Sequence, residues 1–562
     1  MARDEPILAN QTRRLREQRT VDVKGIGVLT FSLRNRLTRL YEALVLLCGL
    51  IEACKRPGSG QYRTPSETGE PGSSSRTTLE FFINKLAQIC DNRPYGSTVT
   101  SLAIIQKPDK MQYIFASNQR SPEDAESSRT VISQLLDNMA VPERFDVRDD
   151  DRSPVFRQLL HNILLFHAER VSLYISRLNQ RLNQCVENLK ATSSQPGDPL
   201  LYELEYLQTL TEVMEPLDDN EEVARNSERL VLAANAFRKS PMYESVIERT
   251  REGRFDESER WFELQHFIGR LSSYHGAVRA ILSGRRRLHP GLFENFEVLW
   301  LPSSKPMPNP MDSLHDYIRV EKQQEKRSSK NIIRRMMSES AERSVILEHA
   351  ETLQVCGLDE HISRQCQKST FSPIIHCEIL ILQYLCQEYR GDHHVPFFND
   401  ARYIGCSKPT CRLCEYYFNA HNGGIQVRSG HKNVYSNWTI PNIFAAGSAE
   451  ATERDNLIDK VIAKIREDAL RALREKVSDG KRYDSNTYSS QPTHQSLDVL
   501  AAPSLDRLAV AVGALSIIVS TDNPHSVDED TRSICAEVGE SDVDEDNFWE
   551  GSGLEHSGGV TL

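Results

Sequence analysis

Long apolar runs are missing. No stretch of 18 or more apolar residues occurs in the 562-residue chain, and the best run, residues 43–51, is too short to span a bilayer. The sequence opens Met-Ala-Arg-Asp-Glu-Pro, without an apolar signal region. The expectation is an intracellular protein, cytoplasmic or nuclear, with no membrane partner. Cysteine is also scarce: 12 in 562 residues do not make a disulfide scaffold. No repeat of fixed period supports a solenoid, and no recognised RNA- or DNA-binding module is present. Excess charge of one sign is lacking over most of the chain. The formal net charge is -11, but residues 521–562 hold 12 acids and one base, Arg532. Removing these from 79 acids and 68 bases leaves 67 of each. Residues 1–520 are therefore neutral overall, and the acidic balance does not argue against an anionic substrate.

What is present suggests two to four structural units. The chain is 39% hydrophobic, enough for a sizeable core, and its mean hydropathy of -0.49 keeps much of it in water. Residues 1–30 form a polar segment with little periodicity. Leu33, Leu37, Leu40, Leu44, Leu47 and Ile51 keep helical spacing, which predicts a helix over 31–55. A flexible link (57–77) separates it from a second helix over 78–89, so 31–95 reads as an N-terminal helical unit. Over 98–118, Val99, Leu102, Ile104 and Ile105 precede Lys107-Pro-Asp-Lys110, and Met111, Tyr113, Ile114 and Phe115 follow. This predicts two strands around a Pro-Asp turn. Residues 120–370 then read as helical, with amphipathic segments at 156–189, 200–217, 221–238, 259–282 and 311–341. Further on, helices are predicted over 374–389 and 410–422, the second stopped by Gly423-Gly424. Short strands are predicted within 397–404 and at 425–428 and 433–438. A charged amphipathic helix covers 455–476. Residues 477–562 read as a mostly disordered acidic tail, with one apolar island at 505–519.

Five of the twelve cysteines, Cys377, Cys386, Cys406, Cys411 and Cys414, fall within 38 residues. The chain reads His376-Cys377-Glu378 and, after a gap of 32 residues, Cys411-Arg412-Leu413-Cys414. A Cys-x-x-Cys pair at a helix start can put both sulfurs on one metal, and the free N–H groups of the first turn favour thiolate. With His376 as a nitrogen ligand this makes a His-Cys-Cys zinc set with one position left for water. Glu378 can lean towards that position without ligating. Zinc lowers the pKa of water, and the glutamate can take and pass on its proton. The pattern matches the zinc deaminase signature H-x-E followed by P-C-x-x-C, except that Thr410 precedes the first cysteine and the proline is Pro409. Two other readings stay open here: a closed structural zinc with Cys377 or Cys406 as fourth ligand, and a redox pair of Cys411 and Cys414.

Around these residues lie Tyr403-Ile-Gly-Cys-Ser-Lys-Pro-Thr-Cys-Arg-Leu-Cys414 and Arg428-Ser-Gly-His-Lys-Asn-Val-Tyr435, with Trp438 and Pro441 beyond. Together with His376-Cys-Glu378 this block, over roughly 372–445, resembles the OTT_1508-like branch of the nucleic acid/nucleotide (cytidine) deaminase superfamily, fungal type. The resemblance implies an α/β fold: a three-layer αβα core with a mixed sheet, here carrying a large all-helical region. It also implies zinc on His376, Cys411 and Cys414, with Glu378 as the catalytic proton shuttle. That fold has a strand hairpin before the first zinc helix, and 98–118 is the segment that looks like one. The preferred reading is therefore a discontinuous core with 120–370 inserted; the competing one is a separate helical domain.

Asn118 closes the hairpin, where a polar residue can face substrate. Ser407, Lys408, His431 and Lys432 are further candidate substrate-binding residues: a serine can bond a base edge, a lysine a phosphate, and His431 and Lys432 can line the pocket mouth. The bland readings are a tight turn with a solvent lysine and ordinary surface turn residues. The expected function is zinc-dependent hydrolytic deamination of a nucleobase, cytosine or adenine, in a nucleotide or nucleic acid. The alternative is a non-catalytic scaffold, with a protein partner on the helical region or the apolar island. Two basic tracts, 285–287 and 326–335, read as solvated faces.

Overall fold

The computed structural model describes residues 20–23, 26–54, 75–140, 151, 153–192, 197–212, 220–251, 255–314, 327–390, 394–441 and 449–477. The polar segment up to residue 19, the core of the link (55–74) and the tail from 478, with its island at 505–519, lie outside the described residues. The first described elements are an antiparallel hairpin, β1 (Thr20–Val23) and β2 (Gly27–Thr30). It is a correction to the reading of 1–30 as patternless: strands of four residues are too short for alternation to show. The Thr30 hydroxyl accepts the Leu33 N–H at 3.1 Å and starts α1 (Phe31–Ala53), whose leucine stripe is buried. Helix α2 (Ser75–Cys90) follows.

The sheet begins with β3 (Thr100–Gln106) and β4 (Met111–Ser117), paired antiparallel from Thr100–Ser117 to Gln106–Met111. The chain then leaves the sheet through a run of helices: α3 (Pro122–Ala140), α4 (Pro154–Phe166), α5 (Ala168–Thr192), α6 (Pro199–Glu212), α7 (Asn220–Arg238), α8 (Met242–Arg251) and α9 (Phe255–Arg287). It returns as β5 (Phe296–Leu301), parallel to β4. Next come α10 (Ser329–Met336), α11 (Ala341–Thr352) and α12 (Leu358–Gln367). The last part holds β6 (Ile374–Ile375), α13 (Cys377–Glu388), β7 (Tyr403–Cys406), α14 (Arg412–Ala420), β8 (Gln426–Val427), β9 (Trp438–Thr439) and α15 (Ala449–Glu475). The main sheet runs β5-β4-β3-β7-β8, mixed in direction, and β6 pairs with β9 separately.

Alternation along these strands separates two cores. Leu102, Ile104, Tyr113, Phe115 and Tyr403 face α2 and the helical run. Ala103, Ile105, Ile114, Ala116, Ile404 and Cys406 face α1, α13, α14 and α15. The result is an α/β fold of three layers, helix on sheet on helix. Gly405 permits the closest approach in it: a Cβ there would meet Ile83 Cγ2 of α2 at 2.5 Å.

Some boundaries depart from the sequence pattern. The stretch 120–370 is not wholly helical, because β5 extends the sheet; Phe296, Val298 and Trp300 pack on one core and Leu301 on the other. The helix expected over 156–189 breaks at His167, which caps α4 with φ -104° and ψ 13°. The one expected over 311–341 is interrupted at Met337, extended at φ -124°, before Ser340 caps a new helix. The helix expected from 374 starts at Cys377, since Ile374 and Ile375 pair with β9. Of the strand expected over 433–438, only Trp438 is in β9. Among the described residues no helix is long and apolar enough to cross a membrane.

Helix α2 ends inside the protein, and its last carbonyls need donors. His167 Nε2 donates to Ile89 O at 2.8 Å, Arg120 to Cys90 O, and Arg170 to Asp91 O. Arg170 also pairs with the Asp91 carboxylate at 2.9 Å, and the Thr98 hydroxyl donates to it at 2.9 Å. This buried set fastens the helical run to the end of the sheet that carries Ser117 and Asn118.

Candidate metal centre

Two helix starts converge at the end of the sheet where β4 and β7 finish. His376 is the N-cap of α13, with extended φ -68° and ψ 150°, and the β6–β9 pair sets it beside Asn437 and Trp438. The Asn118 side-chain oxygen accepts the Cys377 N–H at 3.0 Å, satisfying an orphan donor of that first turn. Cys411 is the N-cap of α14, and its Sγ accepts the Cys414 N–H at 3.4 Å. Arg412 N–H donates to Asn433 O at 3.0 Å and fixes the approach of that turn.

The three side chains meet. Cys411 Sγ and Cys414 Sγ each lie 3.5 Å from His376 Nδ1. All three residues are buried. A tetrahedral zinc with bonds of about 2.0 Å to nitrogen and about 2.3 Å to sulfur holds those two atoms about 3.5 Å apart. The donor set therefore fits such an ion in type and spacing. Among the described residues no fourth histidine, cysteine or carboxylate joins this group. Cys377 and Cys406 belong to a different group with Glu378, on the sheet side, so neither supplies the closing ligand of a structural zinc.

Electrostatics within the cluster are coupled. Burial raises the Cys411 thiol, but the hydrogen bond from Cys414 and the charge of His376 outweigh it and hold Cys411 low, as thiolate. Burial and that neighbouring thiolate push Cys414 up. Burial disfavours charge on His376, yet Cys411, then Glu378 and the Asn437 backbone, raise its pKa. Glu378 is buried, with Oε2 4.0 Å from Cys414 Sγ and 3.5 Å from Cys377 Sγ. Burial raises its carboxyl, the direction a proton shuttle at neutral pH needs.

The other sequence candidates are placed differently. Asn118 is half-buried and spends its carbonyl on α13. Ser407 is fully buried, and its hydroxyl accepts the Thr100 N–H at 3.2 Å, so it serves the β3–β7 edge. Lys408 is no solvent lysine: it is buried, and its charge helps hold the Asp91 carboxyl low. His431 is buried rather than at a mouth; its Nδ1 accepts the Asn433 N–H at 2.9 Å, and its ring meets Tyr435 edge-on at 5.7 Å. Lys432 is exposed at φ +66° and paired with Glu415. Tyr417 and Phe418 are buried in α14, and the Tyr416 hydroxyl bonds Asp468 of α15.

Three further residues near the centre, Tyr435, Trp438 and Arg428, belong to the sequence block that carries the resemblance, which assigns none of them a role. Tyr435, half-buried, puts its ring 6.5 Å from that of His376. Trp438 is fully buried beside Cys414, and its indole only partly offsets the burial and the Cys411 charge that hold that thiol high. Arg428 donates to Cys406 O at 3.2 Å and Ser407 O at 3.1 Å, bracing the loop into α14. In the basic tracts Arg285 donates to Met139 O at 2.6 Å and Arg327 and Arg335 pair with Asp312 and Glu42, while Arg286, Arg287, Lys330 and Arg334 are exposed.

No curated protein and no solved structure matches the chain. One family model does, over residues 375–442, the stretch that holds His376, Glu378, Cys411, Cys414, Tyr435 and Trp438. The matching model is that of the OTT_1508-like deaminase family, so this part of the chain is similar to that family.

Proposed function

We propose that this protein is a zinc-dependent hydrolytic deaminase acting on a nucleobase, cytosine or adenine, carried in a nucleotide or nucleic acid. The observation that carries this reading is a three-donor centre without a fourth protein ligand among the described residues, with a buried glutamate beside it. His376 Nδ1 and the sulfurs of Cys411 and Cys414 would hold the ion. Zinc, when bound, acidifies water and makes it a nucleophile at neutral pH. Glu378 receives a proton at Oε2 as water adds to the ring carbon that bears the amine. The same oxygen then gives a proton to the departing amine, which leaves as ammonia, and the carboxylate is restored. Tyr435 offers an aromatic edge beside His376 for the base. Asn118 and Trp438 hold the two zinc-bearing helix starts in place rather than touching the reacting atoms.

The test is ammonia release from cytosine and adenine presented as free bases, nucleotides and oligonucleotides. Glu378→Gln is expected to cut the rate by roughly 10²–10⁴-fold while zinc content stays unchanged. A zinc-loaded chain that releases no ammonia across the panel, or a Glu378→Gln chain as active as the parent, would leave the scaffold reading instead.

A further inference from the structure

A second set of soft donors lies behind the first, against the sheet. Cys377 Sγ, Cys406 Sγ and a Glu378 carboxylate oxygen all fall within 4.8 Å of one another, and all three residues are buried. We propose that they form a second site for a thiophilic divalent ion such as zinc or cadmium, and that its occupation is inhibitory. Cys377 Sγ lies 3.5 Å from Glu378 Oε2. A tetrahedral zinc with sulfur at about 2.3 Å and carboxylate oxygen at about 2.0 Å separates those atoms by about 3.5 Å. The Ser101 hydroxyl donates to Cys377 Sγ at 3.1 Å, which places an oxygen beside the three donors that could serve as a fourth. Both sulfurs are carried on fixed backbone. Cys377 N–H is bound by Asn118 at 3.0 Å, and Cys406 N–H by Asn84 at 3.1 Å. Two sulfurs with one carboxylate select zinc or cadmium over magnesium or calcium.

Glu378 joins the two sites. The Oε2 that faces Cys377 is also the carboxylate oxygen 4.0 Å from Cys414. An ion behind the helix would hold that oxygen and withdraw it from proton transfer. The inhibitory arm rests on the function proposed above; the binding arm does not.

The experiment uses the full chain, stripped of metal by chelation under reducing conditions and titrated with Cd²⁺. Thiolate-to-cadmium absorbance and the metal retained after gel filtration are read together. The parent is expected to bind one ion more than Cys406→Ser, and the Cys411→Ser, Cys414→Ser double variant to keep that ion. Excess zinc should lower ammonia release at least tenfold in the parent and leave Cys406→Ser unaffected. Glu378→Gln retains both sulfurs and covers the case in which the serine variant fails to fold; it should weaken the second ion at least tenfold and spare the first. Equal metal counts in the parent and a folded Cys406→Ser, or equal second-ion affinity in Glu378→Gln, overturn the proposal. A chain without ammonia release that still shows the difference in metal count defeats the deaminase reading alone.

Discussion

Two buried polar clusters sit on opposite sides of the sheet, and they differ in how complete they are. On the bundle side Asp91 lies between Arg170 and Thr98, both at 2.9 Å. His167 lies between the Ile89 carbonyl at 2.8 Å and the Tyr274 hydroxyl at 3.2 Å. Arg120 reaches Cys90 O, Ser117 Oγ, Ser128 Oγ and Asn92 Oδ1. Each of these donors meets an acceptor, so this cluster is finished by the fold itself. On the other side, His376 Nδ1 stands 3.5 Å from each of two sulfurs. These contacts are weak as hydrogen bonds but suit three ligands around one ion. A buried polar cluster that closes on itself is structural; one whose donors converge on a point is built for a ligand. Lys408, in the loop that leads to Cys411, places its charge by Asp91 and ties the two together.

The sharpest way to break this contrast is a substitution on each side. Glu378→Gln should cost roughly 10²–10⁴-fold in deamination with little change in unfolding free energy, measured by ammonia release and urea denaturation. Asp91→Ala should do the reverse. It strands a buried Arg170, so urea titration should show a loss of about 3–5 kcal/mol, while zinc bound per folded chain stays the same. If Asp91→Ala removed zinc without loss of stability, the division of labour would be wrong.

Acid sharpens the contrast on the bundle side. Burial, then the Arg170 charge, lower the His167 pKa to about 3. The unfolded chain takes up that proton near pH 6.5 and the folded one does not. The stability from neutral His167 is therefore complete above about pH 6.5 and falls as pH drops towards about 3, by at most about 1.4 kcal/mol per pH unit. His167→Gln should flatten that slope in denaturant titrations at stepped pH; an unchanged slope would show that His167 is not the titrating group. The smallest effect belongs to Asn118→Ala, which removes the oxygen bound to Cys377 N–H. About 1 kcal/mol of stability should go, with weaker zinc retention during dialysis against a chelator. An identical melting temperature and retention would detach Asn118 from the centre.

The contrast also explains what could be read in the sequence. A metal triangle needs given side-chain types at short spacings on helix starts, so His376-Cys-Glu378 and Cys411-x-x-Cys414 are visible as text. The hairpin that lies under them was legible too, because β3 and β4 are seven residues long with a Pro-Asp turn. The closed cluster was not: Asp91, Arg120, the neighbours His167 and Arg170, and Tyr274 come from four separate places in the chain, and only the packing of the helical run against the end of α2 unites them. The sequence offers Lys408 as a substrate-binding candidate or a solvent lysine, because nothing local shows that Asp91 lies beside it. Strand β5 hid among helices because six residues, Phe296–Leu301, carry too little alternation to stand out. His431 and Ser407 stand close to the metal-site residues in the sequence, which does not show that their side chains bond Asn433 and Thr100.

The measurement that bears most directly on the centre is zinc-edge X-ray absorption on the full chain loaded with one equivalent of zinc. The expected spectrum has two sulfur neighbours at about 2.3 Å and two lighter neighbours, one of them an imidazole nitrogen, at about 2.0 Å. Its two-sulfur shell should be unchanged in Cys406→Ser, and its imidazole scattering should vanish in the Cys411→Ser, Cys414→Ser double variant. Three or four sulfurs at that distance would mean a closed structural site, and would contradict the open centre built by His376, Cys411 and Cys414.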